Sequence, residues 1–170
     1  MPQAGAAASG LFQTDFPPEE FAARRAALFD AIGPGAHALI QGAPAVRGFE
    51  VFRQTNEFYY LSGVEVPHAC LLLAGRDRTA TLYLPHRPEK AGAEGATLGA
   101  EDADLVRRAA GLDAVRGPES LADDLRAASV LYLPHAPAEG ARACRDELLL
   151  ELWGRIAPAK FEDRGTGGSR

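Results

Sequence analysis

The histidines are the first residues to test for chemistry, because imidazole binds metals and transfers protons near neutral pH. None of the four has HxH or HExxH spacing with another: His37, His68, His86 and His135. Two of them close the same pentapeptide, Leu-Tyr-Leu-Pro-His, at 82–86 and again at 131–135. If these strands lay side by side and parallel, His86 and His135 would meet at one sheet edge. Glu89 or Glu139 could then add an oxygen ligand to a zinc ion.

The repeated pentapeptide also has a simpler interpretation as the shared ending of two core strands. Leucines fill the core, tyrosine lies at the edge and proline stops the ladder, which leaves the histidines structural or exposed. The acidic pairs at 102/104 and 123/124 fit solvated helix faces. The sequence contains no GxGxxG, no phosphate-binding loop and no GxSxG. We therefore predict no catalytic residue and no metal ligand in this chain.

Residues 52–63 concentrate polar and aromatic side chains, in the order Phe-Arg-Gln-Thr-Asn-Glu-Phe-Tyr-Tyr-Leu-Ser-Gly. A guanidinium, amides and aromatic rings together give directed hydrogen bonds and rigid apolar contact, as binding surfaces do. The alternative is that Phe58 and Tyr60 belong to the core, while Arg53 and Asn56 cap local backbone. The residues alone leave both interpretations open.

The elements that must position this segment alternate between helix and strand. We predict a first helix from Pro17, capped by Asp15 and stopped by the Gly-Pro-Gly at 33–35. A hairpin is predicted over 69–84, with the apolar run 69–74 as a central buried strand. Before the hairpin we predict a strand at 37–41 and, over 49–63, a strand followed by a turn and a short helical piece. After the hairpin we predict a loop at 85–100, helices at 101–110 and 118–128, and a strand at 130–133. The last predicted element is an amphipathic helix at 138–156.

About five strands and four or five helices predict an α/β fold of three layers, in which helices flank both faces of a mixed sheet. The hairpin excludes a purely parallel sheet. We expect one domain over residues 15–160, with a flexible N-terminus at 1–14 and a flexible tail at 161–170.

Composition narrows the function classes further. The 170 residues are 46% hydrophobic and 24% charged, which is typical of a globular domain. A net charge of -5 argues against nucleic acid as a partner. No apolar run approaches the roughly 18 residues that span a membrane. The first ten residues lack the features of a secretory signal, so the cytoplasm is the expected compartment. The two cysteines, Cys70 and Cys144, support neither a disulfide framework nor a zinc knuckle.

The segment that begins Arg53-Gln54 resembles the N-terminal domain of Xaa-Pro aminopeptidases (aminopeptidase P) and of the wider creatinase/prolidase group. That pattern is Arg-Gln, a few polar residues, an aromatic cluster and Ser/Thr-Gly, then an acidic or proline-containing turn and a strand. Here it reads RQTNEFYYLSGVEVP over 53–67, followed by the strand at 69–73. The helix around 24–28, the strand at 37–41 and the loop at 94–99 also look like that domain. The resemblance therefore covers roughly residues 15–160.

The resemblance implies a creatinase N-terminal fold with a ribonuclease-H-like outline. It also implies that catalysis belongs to a second, "pita-bread" domain with two metal ions, usually manganese, held by two Asp, one His and two Glu. There a metal-bridged hydroxide attacks the carbonyl before proline. The chain reaches Arg170 before any such ligand set, so we expect no cofactor in it and two manganese ions in the parent enzyme.

By the same resemblance, five residues are expected near the substrate cleft or an interface: Arg53, Asn56, Phe58, Tyr59 and Tyr60. The expected partners are the catalytic domain of the same enzyme or another copy of this chain, with a peptide substrate bound through the parent. Creatine is one alternative substrate in the same fold family, and dipeptides that end in proline are another.

Three hypotheses follow from these observations. The leading one is a non-catalytic N-terminal domain of an Xaa-Pro aminopeptidase-like metallopeptidase, which shapes the substrate cleft and makes subunit contacts. The second is a stand-alone module that binds a peptide or protein, or dimerises, through residues 52–63. The third is a small metal-binding enzyme that uses His86 and His135.

Overall fold

Five strands form a mixed sheet at the centre of the protein. The computed structural model describes residues 15–46, 51–87, 98–133 and 155. The strands are β1 (Ala36–Gln41), β2 (Cys70–Ala74), β3 (Thr79–Tyr83), β4 (Ala114–Arg116) and β5 (Val130–Tyr132). Their order across the sheet is β4-β3-β2-β1-β5. Only β2 runs against its neighbours, because β1 pairs in parallel with β5 and β3 pairs in parallel with β4.

Helices cover both faces of this sheet. The helices of the described residues are α1 (Pro18–Ile32), α2 (Asn56–Ser62), α3 (Ala103–Ala110) and α4 (Leu121–Leu125). A first 3₁₀ turn, Ala100–Asp102, leads into α3, and a second, Pro118–Ser120, leads into α4. Within the described ranges, no helix has the length and apolar character to cross a membrane.

The core has two parts because successive side chains of a strand point to opposite faces. On one face, Leu71 and Leu73 of β2 pack with Phe29 of α1, Phe58 of α2 and Val106 of α3. On the other face, the alternate strand residues pack with α4: Leu39, Cys70, Leu72, Tyr83, Leu121 and Leu125. Fully burying a leucine or phenylalanine contributes about 1.5–3 kcal/mol, so these two layers hold the helices in place.

A buried arginine ties the helices of the first face together. Arg25 of α1 is 2% exposed. Its Nη1 donates to the main-chain oxygen of Leu61 at 2.8 Å, and its Nη2 donates to the oxygens of Ala110, at 3.2 Å, and Gly111. These carbonyls lie at the C-terminal ends of α2 and α3, where the helix dipole favours a cation. Burial lowers the pKa of Arg25, and the nearby charge of Asp113 opposes that change.

The predicted mixed sheet, the hairpin and the short helical piece before Gly63 are confirmed. The strand predicted within 49–63 is wrong for its described part, because residues 51–55 form no regular element. β4 was not predicted. The helix predicted at 118–128 divides into the second 3₁₀ turn and α4, and α1 is capped at Pro17 without a side-chain hydrogen bond from Asp15.

Some predictions lie outside the described residues. These are the flexible ends at 1–14 and 161–170 and, apart from Arg155, the amphipathic helix at 138–156.

Candidate functional site

Gln54 anchors the polar and aromatic segment to the sheet. It is buried, and its Oε1 accepts hydrogen bonds from the main-chain N–H groups of Ala43 and Thr55. Its Nε2 donates to the oxygen of Val66 at 3.0 Å, and its own N–H donates to a carboxylate oxygen of Glu65, also at 3.0 Å. One amide side chain therefore joins three stretches of backbone and fixes where α2 begins.

Both ends of α2 are set by residues of the same segment. Thr55 is the N-cap, and its Oγ1 accepts from the N–H of Phe58 at 3.3 Å. At the other end, the hydroxyl of Ser62 donates to the oxygen of Phe58 at 2.7 Å and accepts from the N–H of Val64. Gly63 ends the helix in the left-handed conformation, with φ of 65°. The Thr and Ser-Gly of the sequence pattern thus define a helix of two turns.

The outer side of α2 forms an open groove with α1. Its volume is about 640 Å³, and mostly apolar atoms line it. The α1/α2 groove is lined by Arg24, Ala27, Leu28 and Ala31 of α1 and by Asn56, Glu57, Tyr60 and Leu61 of α2. Small-molecule and peptide side-chain pockets commonly have this size and an apolar lining with few polar groups. The groove is thus a candidate binding surface among the described residues.

One residue that lines the α1/α2 groove is an arginine surrounded by aromatic rings. The guanidinium carbon of Arg24 lies 4.5 Å from the ring centroid of Tyr60, 4.8 Å from that of Phe16 and 5.0 Å from that of Phe21. Its Nη1 donates to the oxygen of Tyr60 at 3.1 Å, and its Nε pairs with Glu20. Cation–π contact and these hydrogen bonds hold Arg24 and the exposed Tyr60 ring in one position.

The five residues predicted for the site separate into three groups. Asn56 and Tyr60 line the α1/α2 groove. Phe58 is fully buried in the core beneath α2, so its ring reaches no surface. Arg53 is exposed, and Tyr59 is half-buried.

The surroundings of Tyr59 make its hydroxyl hard to ionise. Burial raises the pKa of Tyr59, the charges of Glu65 and Asp15 raise it further, and Arg53 acts in the opposite direction. Tyr59 therefore offers a neutral hydroxyl at physiological pH. The charge of Arg53 acts on the Tyr59 hydroxyl, and neither residue lines the α1/α2 groove.

Sequence reasoning missed Arg24 as a member of this surface. Only the helix around 24–28 was expected there, and the partners of Arg24, Tyr60 and Phe16, lie outside that stretch. The spacing of Glu20 and Arg24 at i and i+4 places both on one side of α1, which is the signal available in the sequence.

The histidine pair proposed for zinc depends on an adjacency that the sheet does not have. β3 and β5 are parallel, but β2 and β1 lie between them. His86 instead contacts Glu101 and Glu119, through different ring nitrogens. His135, Glu89 and Glu139 lie outside the described residues. In the portion that the structure describes, no three His, Cys, Asp or Glu side chains are grouped to hold a metal ion.

Comparison with known proteins identifies a family and a group of related structures. The sequence model described as the aminopeptidase P N-terminal domain matches residues 21–137, which is more than half of the chain. Comparison with curated proteins yields no significant match.

Among solved structures, the chain is similar to Escherichia coli aminopeptidase P. The form with the inhibitor Pro-Leu is 27% identical with a TM-score of 0.64, over 81% of this chain and 33% of that one. The zinc-substituted form in complex with product is 25% identical with a TM-score of 0.69, over 85% and 34%. A single-residue variant in complex with substrate is 25% identical with a TM-score of 0.68, over the same shares. The chain therefore spans about a third of the length of these structures.

Proposed function

Since the chain belongs to the family of aminopeptidase P N-terminal domains, we propose that it is the non-catalytic N-terminal domain of an Xaa-Pro aminopeptidase-like metallopeptidase. In this role it narrows the substrate cleft of a catalytic domain and makes subunit contacts. The reaction of the parent would be removal of an N-terminal residue that precedes proline. Manganese in the parent and a cytoplasmic location belong to the same proposal.

The α1/α2 groove is the observation that carries the proposed role. It combines an apolar floor of alanine and leucine with Arg24 and the 56% exposed Tyr60 at its rim. Arginine and tyrosine are the residue types most often responsible for binding energy in protein interfaces. Because Arg24 is already held by rings and hydrogen bonds, docking would cost little side-chain entropy.

The described residues do not fit the metal chemistry of the proposed reaction. Two bound metal ions would supply an activated hydroxide and stabilise the oxyanion. Carboxylates and histidines of the described part are not arranged as a ligand set for such ions. The contribution of this chain is to position surfaces around a substrate bound elsewhere.

Two measurements on the native gene product test this proposal. Intact mass spectrometry of the product from its own cells should give a mass well above the 18.0 kDa of this chain. That product should cleave a peptide with proline in second position when manganese is added, and lose this activity with a chelator. A native mass of 18.0 kDa, or a larger product that leaves such peptides intact, would contradict the proposal.

Substitution in the groove tests its role separately from the chemistry. In the full-length product, Tyr60→Ala should raise KM for the peptide or lower the assembled mass, because the rim ring is lost. A truncated hot-spot residue typically costs about 2 kcal/mol, equivalent to roughly 30-fold in affinity. Asp104→Asn, which changes an exposed side chain of α3, is the control and should change neither. Equal effects of both substitutions would count against the groove.

The same groove also supports a second candidate, a stand-alone peptide- or protein-binding module without enzymatic activity. Its volume of about 640 Å³ lies in the range of pockets that hold small ligands. Calorimetric titration of the 18.0 kDa chain with an Xaa-Pro peptide distinguishes the two roles. Binding that Tyr60→Ala and Asn56→Ala both weaken, with folding intact, favours the module. Absence of binding favours the domain of a larger enzyme.

A further inference from the structure

His86 lies between two carboxylates that come from different elements. It follows β3, and its Nδ1 is 2.7 Å from Oε1 of Glu101 in the first 3₁₀ turn. Its Nε2 is 3.0 Å from Oε2 of Glu119 in the second 3₁₀ turn. One ring therefore joins the end of β3 to the turn that leads into α3 and to the turn that leads into α4.

This arrangement requires the charged form of the ring. An ionised carboxylate only accepts hydrogen bonds, and neutral imidazole has a single N–H to donate. Two carboxylates are both satisfied only by imidazolium, which donates from both nitrogens. The hydrogen bond to Glu101 is the first cause that raises the pKa of His86, and the one to Glu119 is the second.

Two further charged side chains, Arg87 and Asp102, lie beside His86 and Glu101. The main-chain N–H of Arg87 donates to Oε2 of Glu101 at 3.1 Å, and its guanidinium donates to Asp102 at 2.7 Å. The Arg87 Nε lies 3.8 Å from the same Glu101 oxygen. Three carboxylates thus face two cationic side chains. This balance favours a proton on His86, and Arg87 holds Glu101 in place whether or not that proton is present.

We propose that His86 is a proton-dependent tie between the two 3₁₀ turns, and that loss of one proton releases Glu119 while Glu101 stays bound. The neutral ring keeps its proton on Nδ1, facing the shorter contact to Glu101 that Arg87 supports. The lone pair of Nε2 then faces the carboxylate of Glu119, and that contact becomes repulsive.

Loss of the His86–Glu119 contact affects β4, the strand at one edge of the sheet. The second 3₁₀ turn directly follows β4, which has three residues, and leads into α4. Asp124 of α4 accepts from the hydroxyl of Tyr83 at 2.6 Å and pairs with Arg116 at the end of β4. The proton on His86 therefore adds to these contacts, which already hold β4 and α4 against β3.

NMR of the ¹⁵N-labelled chain between pH 5 and 9 tests the tie. Long-range ¹H–¹⁵N spectra should show both ring nitrogens of His86 protonated at a pH where an ordinary histidine is mainly neutral. Glu119→Gln should move the His86 titration to lower pH, whereas the remote Glu19→Gln should leave it unchanged. Titration of His86 at its ordinary value of 6.5 would overturn the proposal.

The backbone amides of the two turns provide the second readout. Signals of residues 119 and 120 should shift with the same midpoint as His86, while those of 100–102 change less, and Pro118 has no backbone N–H to observe. If the two turns respond equally, or neither follows His86, the selective release of Glu119 is wrong. Both variants, Glu119→Gln and Glu19→Gln, change exposed side chains, so both proteins should fold as the native chain does.

Discussion

Arg25 and His86 each tie separate segments of the chain together, but in opposite surroundings. Arg25 is 2% exposed and donates to three main-chain carbonyls at the ends of two helices. The His86 side chain is 55% exposed and contacts two carboxylates in solvent. When a buried hydrogen bond is lost, its polar groups have no water to bond with. When an exposed hydrogen bond is lost, water takes the place of the missing partner. Burial therefore decides whether such a contact governs stability or responds to pH.

The largest effect that this comparison predicts comes from Arg25→Met. The substitution leaves the carbonyls of Leu61, Ala110 and Gly111 buried without their donor and unties α2 from α3. We expect the free energy of unfolding to fall by about 3–5 kcal/mol, measured by urea denaturation. Arg126→Met, on an exposed side chain, is the control and should change it by less than about 0.5 kcal/mol. Similar values for both would break the comparison.

Gln54→Leu tests the same principle without a charge. It removes the partner of the N–H groups of Ala43 and Thr55 and of the oxygen of Val66. We expect a loss of about 2–3 kcal/mol, since buried groups without partners cost about 1–3 kcal/mol each and part of the loss relaxes. Differential scanning calorimetry against Asn56→Ala, an exposed amide of α2, measures it. A loss no larger than that of the control would show that Gln54 is not an anchor.

Gly63→Ala separates backbone geometry from polar contacts. Gly63 has φ of 65°, and an added Cβ would lie 2.7 Å from the Phe21 ring. We expect a loss of about 1–3 kcal/mol in unfolding free energy. Gly35→Ala is the matched control, because an added Cβ there meets nothing within 4 Å. Chemical denaturation of both variants should give a clear difference, and equal stability would contradict the strain at Gly63.

The smallest effect belongs to His86→Gln and is visible only as a pH dependence. His86 has a raised pKa, so its stabilisation is complete below its ordinary 6.5 and is lost as pH rises through the raised value. The pKa of Glu101 is lowered to about 2, so its share is complete above its ordinary 4.5 and is lost as pH falls towards 2. The melting temperature of the native chain should therefore exceed that of His86→Gln mainly between about pH 4.5 and 6.5. A constant difference from pH 4 to 9 would assign His86 a pH-independent role.

Hydrophobic pattern was enough to predict four of the five strands (β1, β2, β3 and β5) and much of the helix placement. The apolar run at 69–74 and the β-rich run at 79–84 gave the hairpin because both strands are buried within the sheet. β4 was not predicted, because its three half-buried or exposed residues are too few for a hydrophobic period that distinguishes a strand from a loop. The strand expected in 49–63 failed in its described part because Gln54 fixes that backbone by side-chain hydrogen bonds, which no periodicity records.

The candidate site was predictable in its location but not in its orientation. The mixture of guanidinium, amide and aromatic groups marked residues 52–63. Whether Phe58 or Tyr60 faces the core depends on where α1 and the sheet lie relative to α2. That is tertiary information, since both residues are aromatic and two positions apart in a short helix. His86 was noticed through a repeat, while its carboxylate partners belong to turns whose approach to β3 the sequence does not reveal.

The position of β5 in the sheet has a consequence for how the chain folds. β2 and β3 are joined by a short turn, so their pairing needs only neighbouring residues. β1 and β5 pair in parallel although nearly the whole described chain separates them, with Ala36 opposite Val130. Such long-range pairing closes a large loop and is slow. During synthesis the hairpin can assemble early, whereas β1 keeps one edge open until residue 132 has left the ribosome.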